Sequence, residues 1–443
     1  MLAEVCHGVT DNLSAPGRDG EPAAWFQRLF RLGALVLLCG TLAACATARL
    51  PAPPRLIAEV APPGFPRSVR FLSNDRDYLI EHLNTVVRNL STVANGKPIR
   101  VLALSGGGAG GAFGAGALYG LARAGQRLDF QVVTGVSAGA LLAPFAFLGP
   151  SWDPQLKEAF DSHRTENLLR PRPWLGFLFH PGIYSRGPLV ALVDHFVTGR
   201  LVRAVAAQAR GGRLLLVATT DLDKQESVIW NMGLIAEHGG EPARKLFRQV
   251  LVASASIPGV FPPVMIRVTG GGKSYDEMHV DGGTTLPFFV ASDVADVLPL
   301  RLPELQNAQV FVIVNGQLST YPKTTAQTPM AVLARSFSAA LMHASRRALV
   351  LSAVLARHFG MRFQFTYLPM TYPDRGSLNF KYSNMHELFE YGAHCAESGH
   401  LWTTLDQAID EGQRAATHLP LISYQCPSPP LRSGIDSTSA SRP

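Results

Sequence analysis

A serine in a tight turn between glycines is the residue of this sequence best suited to act as a nucleophile. Ser137 lies in the stretch TGVSAGALLA, with Gly135 and Gly139 two residues to either side. A G-x-S-x-G sequence between a strand and an apolar helix is typical of a nucleophile elbow, a strained turn that exposes the hydroxyl. The N-terminus of the following helix favours the negative charge that develops during attack. We therefore predict that Ser137 attacks an ester carbonyl.

An aspartate followed by two glycines is the candidate base for this serine. Asp281 ends a short predicted strand in EMHVDGGTTLPF, and Gly282 and Gly283 carry no side chains that would block its carboxylate from reaching Ser137. Aspartate, with a usual pKa of about 3.9, is a weak base, but it is ionised at neutral pH and positioning can compensate. Because D-G-G is also an ordinary turn sequence, the pattern alone leaves a purely structural role open.

A glycine-rich stretch, VLALSGGGAGGAFGAG (Val101–Gly116), contains a second pattern with two interpretations. Gly106, Gly108 and Gly111 match the G-x-G-x-x-G fingerprint of dinucleotide-binding proteins, between a predicted strand and a predicted helix. That fingerprint also needs an acidic residue about 20 positions further on, at the end of the second strand, to hold the ribose. Asp129 lies near that distance but precedes the strand FQVVTG, and no G-K-[ST] sequence indicates a P-loop. The dinucleotide interpretation therefore lacks its second contact.

The other interpretation of this turn is an oxyanion hole. Backbone N–H groups, chiefly those of Gly107 and Gly108, can point at the carbonyl oxygen of an ester positioned over Ser137. Each such donor typically contributes about 3 kcal/mol of transition-state stabilisation. The predicted oxyanion turn comprises Gly106, Gly107, Gly108, Gly110 and Gly111.

Taken in order, these motifs resemble those of the patatin-like phospholipases. SGGGAGG (Ser105–Gly111), GVSAG (Gly135–Gly139) and DGG (Asp281–Gly283) follow the family's order. ASASIPGVFPP (Ala253–Pro263) is similar to the family's block ahead of the aspartate. The resemblance implies a Ser-Asp dyad that works without a catalytic histidine, a metal or another cofactor. In that dyad Ser137 forms an acyl-enzyme, and the aspartate activates first the serine and then water.

Two positions depart from the family's pattern. Ser105 stands where members often have aspartate, and Gly110 stands where they often have arginine. The missing arginine removes a positive charge beside the oxyanion or a lipid phosphate, so the resemblance leaves the headgroup preference open.

Histidines offer an alternative base, because the order Ser…Asp…His is available downstream of Asp281. None of the candidates lies at a glycine-bounded strand end, so we interpret them as surface or helix residues: His343, His358, His386, His394 and His400. His279 would share a face with Asp281 on a strand, which leaves a supporting role open. Asp221 and Asp223 are interpreted as turn acids after a strand.

The elements that must position these residues alternate between strands and helices. Predicted helices include Asp77–Leu90, Gly114–Ala124 and Met330–His358. Strands alternating with helices predict an α/β, patatin-like three-layer fold, with a mainly parallel central sheet and helices on both faces. Short β-like runs supply the predicted strands Ile99–Leu104, Phe130–Gly135, Arg213–Thr220, Val310–Gly316 and Arg362–Leu368.

The N-terminus has the pattern of an export signal. Arg28 and Arg31 precede LGALVLLCGTLAA (Leu32–Ala44), an apolar run of signal-peptide length. It ends in LAAC, which resembles the lipobox of bacterial lipoproteins and makes Cys45 the expected lipid-modified residue. An ordinary signal peptide or a single anchor helix are the alternatives. We expect a protein of the bacterial cell envelope, lipid-anchored through Cys45, on the periplasmic or surface side of the outer membrane.

Composition completes the predicted organisation of the 443 residues. We expect a signal peptide over 1–44, a proline-rich tether over 45–70, one hydrolase domain over 71–426 with core motifs at 99–286, and a disordered tail over 427–443. Cys395 and Cys426 would form an even pair in an oxidising space, where a disulfide is an option. The formal net charge of +7 is spread along the chain without a Lys/Arg block or zinc spacing. This argues against a nucleic-acid partner and is compatible with anionic lipid headgroups.

These observations together predict a lipid acyl hydrolase. Its expected substrates are the carboxylic esters of phospholipids or acylglycerols at a membrane, and the sequence does not indicate an oligomeric state. Two alternatives stay open: a catalytically inactive lipid-binding lipoprotein that kept the fold, and a dinucleotide-binding oxidoreductase.

Overall fold

The computed structural model describes residues 59–170, 181–290, 300–320, 322–408 and 426–427, together with positions 33, 49, 52, 53 and 56. By its internal contacts the chain divides into two units, Met1–Leu50 and Pro51–Pro443. The predicted signal segment apart from Gly33, the predicted lipidation site Cys45, and the predicted tail after Pro427 lie outside the described residues. The elements below belong to the second unit.

A mixed sheet of nine strands forms the centre of the described part of this unit. Its strands are β1 (Arg70–Leu72), β2 (Arg100–Leu104), β3 (Val132–Val136), β4 (Leu214–Asp221), β5 (Glu226–Asn231), β6 (Val264–Gly270), β7 (Lys273–Asp281), β8 (Gln309–Gln317) and β9 (Arg362–Leu368). The order is β1-β5-β4-β3-β2-β8-β9, and β7 pairs with both β4 and β6. The five predicted strands correspond to β2, β3, β4, β8 and β9, which pair in parallel.

Ten α-helices of the described residues surround this sheet. They are α1 (Arg76–Ala94), α2 (Gly111–Arg123), α3 (Ala138–Leu148), α4 (Asp153–Phe160), α5 (Gly187–Phe196), α6 (Gly199–Arg210), α7 (Met232–His238), α8 (Gly240–Ser254), α9 (Pro329–His358) and α10 (Tyr382–Glu397). The three predicted helices match α1, α2 and α9 with small shifts at their ends. The predicted α/β fold with a mostly parallel sheet is therefore confirmed.

Strand β2 shows how the chain builds a core on each face of the sheet. Successive side chains of a strand point to opposite faces. Leu102 and Leu104 accordingly belong to the larger hydrophobic cluster, whereas Val101 and Ala103 belong to a second one on the other face. All four are buried, as expected for a parallel strand covered by helices on both sides.

Close approach explains the glycines of α2. A Cβ added at Gly116 or Gly120 would collide with the backbone of Phe389 or Ala393 on α10. Gly392 on α10 faces α2 in the same way, because its added Cβ would collide with the carbonyl oxygen of Phe113. The glycine-rich run thus belongs to a tightly packed pair of helices, α2 and α10.

Two further features concern the ends of the described region. The part of the predicted tether that the structure describes packs on the folded body. Val60 and Ala61 are buried: Ala61 forms a backbone bridge with Thr269 of β6, and Val60 packs in a hydrophobic cluster with residues of β6 and β7. Cys395 of α10 forms a disulfide with Cys426, across a sequence separation of 31 residues.

Candidate active site

Ser137 occupies the turn between β3 and α3 in a strained backbone conformation. Its φ is 55° and its ψ is −123°, a positive φ that few residues other than glycine adopt. Flanking glycines let the strand and the helix approach each other. A Cβ at Gly135 would lie 2.8 Å from the Cα of Ala140, and one at Gly139 would collide with the carbonyl oxygen of Leu104. This is the backbone geometry expected of a nucleophile elbow.

Strand pairing brings Asp281 to this turn. Val136 of β3 lies beside Ala218 of β4, and the next residue of β4, Thr219, lies beside Asp281 at the end of β7. The Ser137 hydroxyl donates a 2.5 Å hydrogen bond to Asp281 Oδ2. The aspartate is fully buried, and only 5 % of the serine is exposed. Two residues separated by 144 positions are therefore in direct contact.

Burial determines the protonation of Asp281. Removal of the carboxylate from water raises the pKa of Asp281 from 3.8 to about 7, while hydrogen bonds from Ser137 and from the Gly283 amide act in the opposite direction. The Gly283 N–H donates to Oδ1 over 2.7 Å. A Cβ at Gly282 would collide with the carbonyl oxygen of Ala218, so the turn that presents the carboxylate requires glycine there. An aspartate with a pKa of about 7 is a stronger base than an exposed one.

Two N–H groups of the glycine turn are free to act as donors. The amides of Gly106 and Gly110 donate to the carbonyl oxygens of Pro287 and Gly107, and the Gly111 amide donates back into the turn. Gly107 and Gly108 have no acceptor for their N–H groups among the described residues. The turn lies against the serine, since a Cβ at Gly106 would be 3.1 Å from the Cβ of Ser137. The available donors of the predicted oxyanion turn are thus Gly107 and Gly108.

Asn315 fixes this turn to the end of β8. Its backbone N–H donates to Ser105 Oγ over 2.8 Å, and its Nδ2 donates to the Ser105 carbonyl oxygen over 2.6 Å. Ser105 Oγ in turn donates to the carbonyl oxygen of Gly106. A Cβ at Gly107 or Gly110 would collide with the Asn315 carbonyl oxygen. The packing against Asn315 therefore excludes an arginine at position 110 in this arrangement.

His279 belongs to a buried polar cluster behind the dyad strand. Its Nδ1 is 2.9 Å from Thr219 Oγ1, and its Nε2 is 3.3 Å from a carboxylate oxygen of Glu277. Both ring nitrogens are therefore occupied by partners other than Ser137 and Asp281. The histidine left open as a support for the dyad makes no direct hydrogen bond to either member.

Buried cations balance the acids of this cluster. Burial acts to raise the pKa of Glu277, but the hydrogen bond from His279 and the charge of Arg70 hold it well below its usual range. Arg70 and Lys224 each form an ion pair with Glu277, and Lys224 also contacts Asp221 at 2.8 Å. Asp221, Glu277 and His279 would fit three ligands of a metal ion by distance. Two cations already neutralise the two carboxylates, so the set does not fit a divalent metal.

The downstream histidines lie away from the dyad's hydrogen bonds. His343, His358 and His394 are exposed, and His386 Nδ1 is 2.8 Å from Asp161. Among the described residues none of them contacts the Ser137 hydroxyl, whose bond goes to Asp281.

Two cavities flank the glycine turn. The first, the apolar cavity, opens onto Ser137 and Gly108. Its walls are almost entirely hydrophobic, and include Leu141, Phe145, Leu192, Val193, Phe196 and Leu251. The second, the polar cleft, lies beside the same turn and is lined by Gly106, Gly107, Asn315, Arg335, Ser338 and Tyr372, among others.

Comparisons with known proteins agree with the motifs. The family model for patatin-like phospholipases matches residues 102–292. No curated protein matches the chain. The solved structure of VipD from Legionella pneumophila aligns with 13 % identity over 68 % of this chain and 67 % of its own, with a TM-score of 0.27, a likeness too weak to support any argument. The matched segment runs from β2 through the serine turn to the residues just after the Asp281 turn. Residues 102–292 therefore match the patatin-like phospholipase family, as the sequence motifs predicted.

Proposed function

We propose that this protein is a lipid acyl hydrolase that cleaves carboxylic esters of phospholipids or acylglycerols through Ser137 and Asp281. The observation that carries the proposal is the hydrogen bond from the Ser137 hydroxyl to the buried carboxylate. The family supports lipid hydrolysis in general, and the apolar cavity beside the serine supports a long hydrocarbon chain as the acyl group.

In the acylation step the serine oxygen attacks the ester carbonyl carbon while Asp281 takes the hydroxyl proton. The carbonyl electron pair moves to oxygen, where the free amides of Gly107 and Gly108 can stabilise the negative charge. Collapse of this tetrahedral intermediate breaks the bond to the alcohol. The alcohol leaves with the proton from Asp281, and the acyl group remains as an ester on Ser137.

Deacylation repeats the sequence with water. Asp281 takes a proton from a water molecule as its oxygen attacks the acyl-serine, and the same amides hold the second oxyanion. The serine leaves as an alkoxide and recovers the proton from Asp281, so that the fatty acid is released and the dyad is restored. A pKa near 7 lets Asp281 both accept and return this proton at neutral pH.

Labelling with a fluorophosphonate tests the nucleophile, and hydrolysis of a p-nitrophenyl acyl ester tests the reaction. We expect the wild type to be labelled and to hydrolyse the ester, and Ser137→Ala to do neither. In Asp281→Asn the rate of ester hydrolysis should fall at least a hundredfold. Ser162→Ala, which changes a half-buried serine two residues after α4, is the matched control and should keep both the labelling and the hydrolysis. Labelling that persists in Ser137→Ala would identify another nucleophile, and ester hydrolysis absent from a folded wild type would favour an inactive lipid-binding protein. Tight binding of NAD(P) would instead revive the oxidoreductase alternative.

We further propose that Cys45 carries the lipid anchor that keeps the enzyme at an envelope membrane. The lipobox-like LAAC sequence supports this, and the disulfide between Cys395 and Cys426 is of the kind that persists in an oxidising compartment. Growth of a bacterial host with a labelled fatty acid should mark the full chain but not Cys45→Ser. Equal labelling of the full chain and of Cys45→Ser would contradict lipidation at Cys45, but it would not bear on the proposed roles of Ser137 and Asp281.

A further inference from the structure

Helix α9 presents an apolar and cationic face to solvent. Five large aliphatic side chains on it are between 38 % and 51 % exposed: Val332, Leu333, Val350, Leu351 and Val354. The helix contains four arginines and no acidic residue. Arg335 is paired with Asp374, whereas Arg347 and Arg357 form no ion pair within the described part of the chain. Among the described helices, α9 alone is long and apolar enough to meet the length and composition of a membrane span.

Apart from Leu333 and Leu351, which lie about 100° further round the helix, the exposed aliphatics share one side with Arg347 and Arg357. At 3.6 residues per turn, Val332 and Val350 point in the same direction, and Arg347, Val354 and Arg357 lie within about 60° of them. The opposite side is seated on the protein, since Leu349 and Leu355 are buried in the second hydrophobic cluster. A helix with an apolar, arginine-bearing outer face and a buried inner face fits a position in the plane of a membrane surface better than one across it.

The inner face of α9 borders the site. Ser338 and Ser345 line the polar cleft together with the glycine turn. Leu341 lies within 3.4 Å of the position that a Cβ would take at Gly283, beside the dyad aspartate. The exposed aliphatics at residues 332–333 and 350–354 bracket this cleft-lining segment. A surface touching the outer face would therefore lie about one helix diameter, roughly 10 Å, from the cleft.

We propose that the outer face of α9 is the docking surface of this protein for anionic lipid bilayers. The exposed aliphatics would enter the boundary between headgroups and acyl chains, and Arg347 and Arg357 would face lipid phosphates. Charge complementarity selects this occupant, because an arginine-bearing face without acids attracts an anionic surface and repels a second copy of itself. The inference rests on the proposed function in that docking brings an ester substrate to the site.

Local fluorescence tests this face independently of any other membrane anchor. The full chain, with Cys6, Cys39 and Cys45 replaced by Ser, would carry an environment-sensitive dye at Ser336→Cys on the outer face of α9. The matched control carries the dye at Lys273→Cys, an exposed position at the start of β7. With vesicles of phosphatidylglycerol we expect a blue shift and a several-fold rise in emission at position 336 and no change at position 273. With pure phosphatidylcholine the response at 336 should be at least tenfold weaker.

A double variant tests the charges. Arg347→Glu with Arg357→Glu should weaken the response to phosphatidylglycerol at least tenfold, while hydrolysis of a soluble short-chain ester stays at the parent level. Equal responses at both dye positions, or a response indifferent to vesicle charge, would overturn the proposal. A blue shift that grows with protein concentration without vesicles would show a second copy on this face. The dye reports docking without catalysis. Failure of the proposed hydrolase activity would therefore be seen separately, as an absence of hydrolysis of the soluble ester.

Discussion

At the scale of single residues, the proposed chemistry depends on one carboxylate that burial makes unusually basic. Asp281 loses water on every side and keeps two hydrogen bonds, from the Ser137 hydroxyl and the Gly283 amide. Its pKa of about 7 reflects the dominance of burial over those two bonds. Such a carboxylate is basic enough to accept the serine proton near neutral pH, as the proposed mechanism requires.

The first prediction concerns the pH dependence of catalysis. Because protonated Asp281 cannot accept the serine proton, kcat/KM for a soluble acyl ester should rise with pH through an apparent pKa near 7 and level off above it. Stopped assays between pH 5 and pH 9 would measure this profile, with circular dichroism at each pH as the control for folding. A profile that is flat between pH 5 and pH 7 would be incompatible with Asp281 as the base.

The second prediction concerns stability. The folded pKa of Asp281, about 7, lies above its ordinary value of 3.8, so the native protein holds an extra proton between these values and stability falls as pH rises from about 4 to about 7. Asp281→Asn has no carboxyl group to ionise at this position, so it should not lose stability in this way as the pH rises. The variant should be inactive but more stable than the wild type at pH 8, by an amount on the order of a few kcal/mol.

Thermal unfolding at pH 4, 6 and 8 would measure the difference between the variant and the wild type. We expect the gap to widen from pH 4 to pH 7 and to stay constant above it. Asp276→Asn, which removes an exposed aspartate from the same strand, is the matched control and should show no such gain. A gap that does not change with pH would contradict the raised pKa.

At the scale of elements, the glycine turn is held by what packs on it. Gly107 and Gly110 lie against the carbonyl oxygen of Asn315, and Ala109 donates its N–H to the carbonyl oxygen of Ser377. Both partners belong to segments that follow the matched family region. The turn keeps its two free amides in place through contacts with residues distant in sequence.

The third prediction tests this packing with two neighbouring glycines. Gly110→Ala should destabilise the fold by about 1–3 kcal/mol, because its Cβ would collide with a backbone oxygen that cannot move without shifting β8. Gly316→Ala should cost almost nothing, since no atom lies within 4 Å of its added Cβ. Urea unfolding of both variants would measure the contrast. Equal losses of unfolding free energy in the two variants would mean that Asn315 does not pack tightly against the turn.

Sequence patterns predicted the parallel strands because each is a short, nearly continuous apolar run such as VVTGV in β3. The antiparallel β6–β7 hairpin was harder to recognise. Its strand KSYDEMHVD contains several charged and polar residues, so the sequence predicts a strand only for Val280 and its neighbours. The Ser137 turn, the Asp281 turn and the glycine turn could be predicted because local turn chemistry requires glycine in each of them. Asn315 could not, because its role depends on the pairing of β8 with β2 across some 210 residues.

At the scale of the whole molecule, the disulfide ties residue 426 to the helix that packs on α2. Closing a loop of this length restricts the unfolded chain, and loops of similar size contribute about 3 kcal/mol. Cys395 is fully buried, whereas Cys426 is partly exposed, so the second is the better position to change.

The fourth prediction follows from this bond. Cys426→Ser should lower the free energy of unfolding by about 3 kcal/mol. Urea unfolding with and without a thiol reductant provides the control, because the reductant should destabilise the wild type by a similar amount and leave the variant unchanged. A wild type that is indifferent to the reductant would contradict a stabilising role for this disulfide.

Helix α10 starts 90 residues beyond the last position of the matched family region. Its backbone nevertheless packs against Gly116 and Gly120 of α2, the helix that follows the turn with the two free amides. We therefore expect the smallest autonomously folding form of this domain to be much longer than the matched segment. A fragment ending at residue 292 would lack Asn315 and would lose the α10 backbone that packs on Gly116 and Gly120 of α2, so the proposed active site needs residues beyond the matched segment.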